Sequence, residues 1–207
     1  MTLDLAAIRT ALTAQSVEVP PLQPGQNRAA VAVMLAGRDG ALRMCFIRRA
    51  KQKNDPWSGH MAYPGGRADP EDGSMRATAE RETHEEVGLV LQPDQFVAPL
   101  AELPVRLAGR VIGMTLSSFV YYLGPEPDLL QPNEEVAGAF WVDLAYLWDP
   151  ANATHYRLQR EDGDMVFPAI RFQDTVIWGL TFRLLTQFSS SVNHPLPHLE
   201  DIPGLAR

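Results

Sequence analysis

The sequence predicts one domain of mixed α and β structure, in the α/β or α+β class. Its 207 residues suffice for a single domain with a substantial core, and 45% of them are hydrophobic. Apolar, partly β-branched runs at 28–36, 42–48 and 110–123 are typical of strands. Residues 75–87 contain no glycine or proline and many good helix formers, which indicates a helix.

The N-terminal part predicts a helix followed by a connection. Apolar residues recur at nearly helical spacing between Leu3 and Leu12, so residues 3–14 are expected to form an amphipathic helix. The proline- and glycine-rich stretch 19–27 ends that helix and leads into the core. We therefore treat residues 1–27 as an N-terminal helix and linker within the 1–207 domain.

The first two strands form a predicted central hairpin, with Asp39-Gly40 as its turn. Cys45, on the second strand, is the chain's single cysteine and is expected to be a buried, reduced, structural thiol. A basic cluster follows at Arg48, Arg49, Lys51 and Lys53. Either it is a solvated strand end or it binds phosphate, and its position before Gly65-Gly66 slightly favours phosphate.

The helix at 75–87 carries the chemistry. Asp72 or Ser74 can cap its start, and Gly88 stands where a helix C′ glycine belongs. Glu82, Glu85 and Glu86 fall at i, i+3 and i+4, so they share one stripe of the helix.

An acidic stripe by itself is more often a solvated face, because its like charges repel. Two neighbours favour a bound cation instead. Arg81 can hold a carboxylate by a bidentate hydrogen bond, and Gly65-Gly66 allows backbone to pass close to a metal or phosphate. All-oxygen ligands suit a hard ion, Mg²⁺ or Mn²⁺.

Beyond this helix the sequence predicts strands at 96–103 and 110–123, and a loop with Glu134 and Glu135 that leads into an apolar strand ending near 142. It also predicts a short helix at 144–148, a strand at 165–172, a helix at 175–192 and an irregular tail at 193–207. Pro168 is expected to place its strand at a sheet edge or bulge.

Aromatic and basic residues near the C-terminal end admit two interpretations. His155, Tyr156 and Arg157 could contact a substrate base, but His155 is more simply a surface or packing residue. For Trp178 a place in the core is favoured over stacking on a cofactor.

Composition disfavours several partner classes. A net charge of −7 and one small basic cluster argue against nucleic acid. The N-terminus lacks a basic start and a long apolar run, and no 18-residue apolar window occurs, so we expect a soluble cytoplasmic protein without a membrane partner.

The residues around this helix resemble the Nudix box, G-x5-E-x7-R-E-U-x-E-E-x-G-U with U apolar. The matching positions are Gly66, Arg81, Glu82, Glu85, Glu86, Gly88 and Leu89. Asp72 stands at the first glutamate position, the loop is one residue longer, and Thr83 replaces an apolar residue. A longer loop with aspartate is similar to the coenzyme A diphosphatase branch.

The segment before the box resembles that branch only in part. Gly59, Tyr63 and the Pro64-Gly65-Gly66 run follow its pattern. Asp55 and Trp57 stand where the pattern has Arg and His, and its upstream Arg is displaced to Arg49. The departures bear on the substrate and leave the hydrolase chemistry intact.

The resemblance implies an α/β/α sandwich around a mixed, curved sheet, and metal-dependent hydrolysis of a diphosphate-linked small molecule. It implies Glu82, Glu85 and Glu86 as metal ligands, Glu82 also as a candidate base, and Arg81 as the residue that orients them. Glu135 would be a base or further ligand. Substrate contacts are expected at Arg48, Arg49, Gly65 and Gly66.

Coenzyme A or a derivative is the first substrate to consider. ADP-ribose, dinucleoside polyphosphates and nucleoside triphosphates are the alternatives, and a non-catalytic nucleotide sensor is a further one. Homodimers are common among such proteins, so a homodimer is also an open expectation.

Overall fold

The computed structural model describes residues 3–23, 25–53, 57–107, 110–159 and 163–197, without the side chains of residues 107 and 110. The helices are α1 Leu5–Thr13, α2 Met75–Val87, α3 Leu144–Leu147 and α4 Gly179–Ser191. The strands are β1 Arg28–Ala36, β2 Arg43–Arg49, β3 Met61–Ala62, β4 Gly65–Arg67, β5 Phe96–Leu107, β6 Arg110–Tyr122, β7 Val136–Asp143, β8 Ala153–Leu158, β9 Met165–Phe172 and β10 Thr175–Trp178. No helix in the described ranges is both long and apolar enough to cross a membrane.

Seven strands form one mixed sheet. Its order is β3-β2-β1-β6-β5, with β4 also paired to β1 and β7 to β2. β1 and β6 run parallel, whereas the other pairs are antiparallel. The mixed sheet expected from the resemblance is therefore confirmed.

The predicted hairpin of β1 and β2 is confirmed only near its turn. The two strands share the pairs Leu35↔Met44 and Ala36↔Arg43. β4 then lies beside β1, with Gly66 opposite Ala30, while β7 lies beside β2. This separation inserts the glycine pair into the sheet next to the strand on which α2 packs.

Alternating residues of β1 serve two cores. Val31, Val33 and Leu35 face the core that includes α1 and α4. Ala30, Ala32 and Met34 face the core of α2. Since side chains on a strand alternate between faces, helices cover both sides of the sheet and the α/β/α sandwich is confirmed.

A second, antiparallel sheet in the order β10-β9-β8 was not predicted. The expected helix at 175–192 is wrong at its start, because residues 175–178 form β10 and α4 begins at Gly179. Gly179 has φ +63°, which breaks helical continuity with the β-branched residues before it. Ile177 is buried as expected, but from a strand.

Pro168 was expected to place its strand at a sheet edge. The strand is not an edge strand, but Pro168 itself has a neighbouring strand on one side only. β9 is the central strand of its sheet, but its pairing with β10 begins only at Ala169. Pro168 pairs with His155 of β8 alone, so its missing N–H removes no hydrogen bond to β10. The described part of the tail is irregular, and its Leu196 packs in the core.

Candidate active site

Local sequence determines where α2 begins and ends. The Ser74 hydroxyl accepts a hydrogen bond from Ala77 N at 3.1 Å, and Gly88 adopts φ +74° at the C-terminal end. Thr83, the departure from the apolar box position, is fully buried, and its hydroxyl donates to Ala79 O at 2.7 Å. The polar atom is satisfied within the helix, so threonine is tolerated in this core.

Asp72 anchors Arg81 instead of capping the helix. The Arg81 Nε and Nη2 atoms donate to the two Asp72 carboxylate oxygens at 2.9 and 3.0 Å. Thr78 Oγ1 donates to the same carboxylate at 2.7 Å. The hydrogen bonds from Arg81 lower the pKa of Asp72 to about 2, so the longer loop supplies a permanently charged partner.

Arg81 in turn holds two glutamates. Its Nη1 atom donates to Glu82 Oε1 at 3.0 Å and to Glu85 Oε2 at 3.1 Å, while Nη2 donates to Arg67 O at 3.2 Å. The Glu85 side chain is 50% exposed and that of Glu82 is 16% exposed. The orienting role of Arg81 stays a prediction, and these contacts support it.

Glu86 lies in a different environment. It is only 2% exposed, and its Oε2 accepts a hydrogen bond from Gly65 N at 2.8 Å. Burial raises the pKa of Glu86 to about 7, and the charges of Glu82 and Glu135 add to this shift, whereas Arg49 opposes it. Burial also raises the pKa of Glu82, and Arg81 opposes that shift.

The two glycines allow this close approach. A Cβ on Gly66 would lie 2.5 Å from the Glu82 carboxylate. A Cβ on Gly65, where φ is +149°, would lie 2.2 Å from Ala30 O. β4 can therefore run between β1 and the glutamates only because it starts with two residues that lack a side chain.

Two residues that are distant in sequence join the box. Ala50 N donates to Glu135 O at 2.7 Å, which places the start of β7 at the end of β2. Glu135 is exposed, and its charge raises the pKa of both Glu82 and Glu86. Arg49 lowers the pKa of Glu86, so a cation and a third carboxylate reach the same site.

Arg48 points elsewhere. Its Nη1 atom forms an ion pair with Asp174 Oδ2 at 3.0 Å, which ties β2 to the turn between β9 and β10. Alternation along β2 places Arg48 and Arg49 on opposite faces. Arg48 was expected to contact substrate, but in the structure it pairs with Asp174. Asp55, the departure noted before the box, lies outside the described residues.

The donor set suits a hard cation. Glu82, Glu86 and Glu135 offer carboxylate oxygens, and the buried Glu86 carboxylate receives one hydrogen bond where it can accept several. Within the described residues, no three acidic, histidine or cysteine side chains already form a group that could hold an ion. Glu85 is turned toward Arg81, so it would have to leave that contact to serve as a ligand.

Cys45 is buried below the same site. Burial, with a contribution from the Glu86 charge, raises the pKa of its thiol far above the usual range. This agrees with a structural thiol, because a nucleophilic cysteine needs an accessible thiolate.

An aromatic group lies on the second sheet. The Tyr156 ring stacks on Trp178 with centroids 3.8 Å apart, and Phe167 lies 5.5 Å from Trp178. Trp178 is half-exposed, so the favoured place in the core is wrong, because its side chain lies on the face of β10 opposite the buried Ile177. The sequence reading missed His60, whose ring lies 5.0 Å from Trp178.

Comparison with known proteins shows what the chain is similar to. The family model described as NUDIX domain matches residues 26–161. The human mitochondrial coenzyme A diphosphatase NUDT8 is 30% identical over 180 residues, which cover 86% of this chain and 74% of that protein. An uncharacterized protein of Schizosaccharomyces pombe is 34% identical over 175 residues, 75% of this chain and 53% of that protein, so the chain spans about half of its length.

A solved structure supports the fold. The crystal structure of a MutT/nudix family protein from Enterococcus faecalis aligns with a TM-score of 0.56 and 22% identity, covering 92% of this chain and 70% of that one. The family model covers more than half of the chain and includes every residue of the glutamate site. The chain therefore belongs to the Nudix family of hydrolases.

Proposed function

We propose that this chain hydrolyses the diphosphate linkage of coenzyme A or a derivative, giving adenosine 3′,5′-bisphosphate and phosphopantetheine. The observation that carries the proposal is the buried Glu86 carboxylate, which lies within electrostatic reach of Glu82, Glu135 and Arg49. The similarity to a human coenzyme A diphosphatase supports the choice of substrate. The longer loop with Asp72 supports it as well.

The proposed metal ligands are Glu82, Glu85 and Glu86, and Glu135 is available as a further one. Mg²⁺ or Mn²⁺ at these oxygens would neutralise phosphate charge and make bound water more acidic. The mutual repulsion of Glu82, Glu86 and Glu135 supports this assignment, since a cation would remove it.

The remaining roles concern the chain's own groups. Glu82 or Glu135 accepts the proton of the attacking water, and the P–O bond to the bridging oxygen breaks as the new P–O bond forms. Arg49, on the same face as Glu86, is placed to stabilise the negative charge of the phosphates. Gly65 and Gly66 keep the backbone beside the glutamates free of side chains.

The test is product analysis by chromatography with Mg²⁺ and a panel of coenzyme A, ADP-ribose, a diadenosine polyphosphate and a nucleoside triphosphate. Formation of adenosine 3′,5′-bisphosphate and phosphopantetheine from coenzyme A is the expected result. If coenzyme A survives while another diphosphate is split, the hydrolase assignment stands and the substrate assignment falls. If no compound is split with Mg²⁺ or Mn²⁺, a nucleotide-binding sensor is the function to test.

A further inference from the structure

Four half-exposed rings form a cluster on the outward face of the second sheet: His60, Tyr156, Phe167 and Trp178. Tyr156 lies opposite Phe167, and Trp178 lies opposite Ala169, so these side chains share one face. The other face carries Ile170 and Ile177, which belong to the main core. The rings are therefore not needed to fill that core.

This aromatic cluster is adjacent to the glutamate site. Arg49 N donates to His60 O at 3.0 Å, which extends the antiparallel pairing of β2 with β3 by one residue. Residues directly opposite in such a pair point to the same face, with Cβ atoms about 5 Å apart. Arg49 reaches Glu86 electrostatically, and the His60 ring lies 6.2 Å from Tyr156, so the cluster continues from the proposed phosphate site.

We propose that this aromatic cluster binds the nucleobase of the nucleotide half of the substrate by stacking. The inference rests on the proposed function for the place of the diphosphate, at the glutamates and Arg49. A planar base attached through a ribose lies a short distance from that diphosphate. Stacked aromatic rings bind bases of any sequence through their π faces, at a gain of about 1–3 kcal/mol per base.

The chemistry of the cluster favours a base over an apolar chain. Tyr156 and His60 carry polar atoms at their ring edges, which can satisfy the ring nitrogens and exocyclic groups of a purine. Tyr156 stacks face to face on Trp178 at 23° between planes, so a base placed on the outer face of either ring would extend a pile of nearly parallel rings. Flat rings complement a base, whereas an alkyl chain is usually enclosed by a groove.

The experiment compares the binding of AMP and ribose 5-phosphate by isothermal titration calorimetry without divalent metal. The two ligands share the phosphate and ribose, so the ratio of their dissociation constants measures the base alone. We expect AMP to bind about tenfold more tightly than ribose 5-phosphate to the natural protein. Tyr156→Leu, on the edge strand β8, should reduce that ratio at least about fivefold. Tyr156→Phe keeps the stacking ring and loses only the hydroxyl, so it should reduce the ratio less than Tyr156→Leu does.

A matched control comes from the other end of β2. His194 stacks on Trp148 with centroids 5.9 Å apart, so His194→Leu also removes a ring from a half-exposed stacked pair. This variant should bind AMP and ribose 5-phosphate as the natural protein does. Circular dichroism melting verifies that all three variants fold.

Two results overturn the inference: affinity of the natural protein for AMP that does not exceed its affinity for ribose 5-phosphate, including no binding of either, or an unchanged ratio in folded Tyr156→Leu. Neither outcome depends on turnover. A base preference that is lost in Tyr156→Leu, in a protein that splits no diphosphate, would support the cluster and reject the hydrolase proposal. Turnover of coenzyme A by a protein without a base preference would support the hydrolase proposal and reject the role of the aromatic cluster.

Discussion

Asp72 and Glu86 are two carboxylates of one site, both shielded from solvent, whose pKa values are shifted in opposite directions. The Asp72 side chain is 7% exposed and Glu86 is 2% exposed, so both have lost most of their hydration. Hydrogen bonds from Arg81 and Thr78 lower the pKa of Asp72 to about 2. Glu86 receives one backbone hydrogen bond and faces like charges, and burial raises its pKa to about 7.

The difference separates structure from function within the box. Asp72 is fully compensated by a bidentate arginine, which stabilises the folded loop. Burying the Glu86 carboxylate costs desolvation free energy, and its one backbone hydrogen bond compensates only a small part of that cost. Such a group is typical of a site that awaits a ligand of opposite charge.

The largest expected effect comes from removing the charge at Glu86. Glu86→Gln keeps the shape and an acceptor for Gly65 N, so the fold should persist while kcat with Mg²⁺ falls about a hundred- to a thousandfold. Glu80→Gln is the matched control on the same helix, because Glu80 pairs with Arg76 and Tyr121 away from the other glutamates. Near-normal turnover in folded Glu86→Gln would contradict the metal role of Glu86.

The same residue predicts an unusual pH dependence of stability. The pKa of Glu86 rises from 4.5 to about 7 on folding, so its protonated form favours the folded state. The metal-free protein should therefore lose about 3 kcal/mol of unfolding free energy as pH rises from 4.5 to about 7. Urea unfolding at pH 5 and pH 8 measures this, and Glu86→Gln should abolish the loss. If the difference in unfolding free energy between the wild-type protein and Glu86→Gln shifts in favour of the wild-type protein as pH rises, the raised pKa of Glu86 is contradicted.

An intermediate effect is expected at Gly66. Gly66→Ala places a methyl group against the Glu82 carboxylate and should displace it, lowering kcat about ten- to a hundredfold. Gly73→Ala is the control, because its Cβ would meet nothing within 4 Å, and its kcat should match the natural protein. Equal activity of both alanine variants would show that the position of the Glu82 carboxylate is not critical.

The smallest expected effect concerns the clamp on Arg81. Asp72→Asn removes the charge that holds Arg81, so the unfolding free energy at pH 7 should fall by about 1–3 kcal/mol. The depressed pKa of Asp72 implies that this stabilisation is present above pH 4 and is lost toward pH 2. Asp69→Asn is the control, since Asp69 lies 3.6 Å from Arg81 and is 65% exposed. If chemical unfolding shows a larger loss of unfolding free energy for Asp69→Asn than for Asp72→Asn, Asp72 is not the residue that holds Arg81.

Local patterns predicted α2 and its limits correctly. Ser74 begins the helix through a hydrogen bond to Ala77 N, and Gly88 ends it through its positive φ, and both depend only on neighbours in sequence. The spacing of Glu82, Glu85 and Glu86 also followed from helix geometry. Spacing could not tell that Glu85 turns to Arg81 while Glu86 is buried, because that depends on where β4 and β7 pass.

The second sheet shows the other limit of sequence reasoning. Residues 175–178 fit the apolar period of a helix that includes α4, and only their pairing with Ala169–Phe172 makes them a strand. The same pairing sets Trp178 on the outward face beside Tyr156 and His60. These residues are widely separated in sequence, so no local pattern brings them together.

By itself the sequence determined the mixed α and β class and the box helix, since short-range spacing and residue chemistry suffice for these, and its resemblance to the Nudix box indicated the family. Tertiary structure alone decided which glutamate is buried, and that Arg48 pairs with Asp174 while Arg49 acts on Glu86. The physical reason is desolvation: the pKa and partners of a charged group depend on the strands that exclude water around it, and strand pairing is long-range.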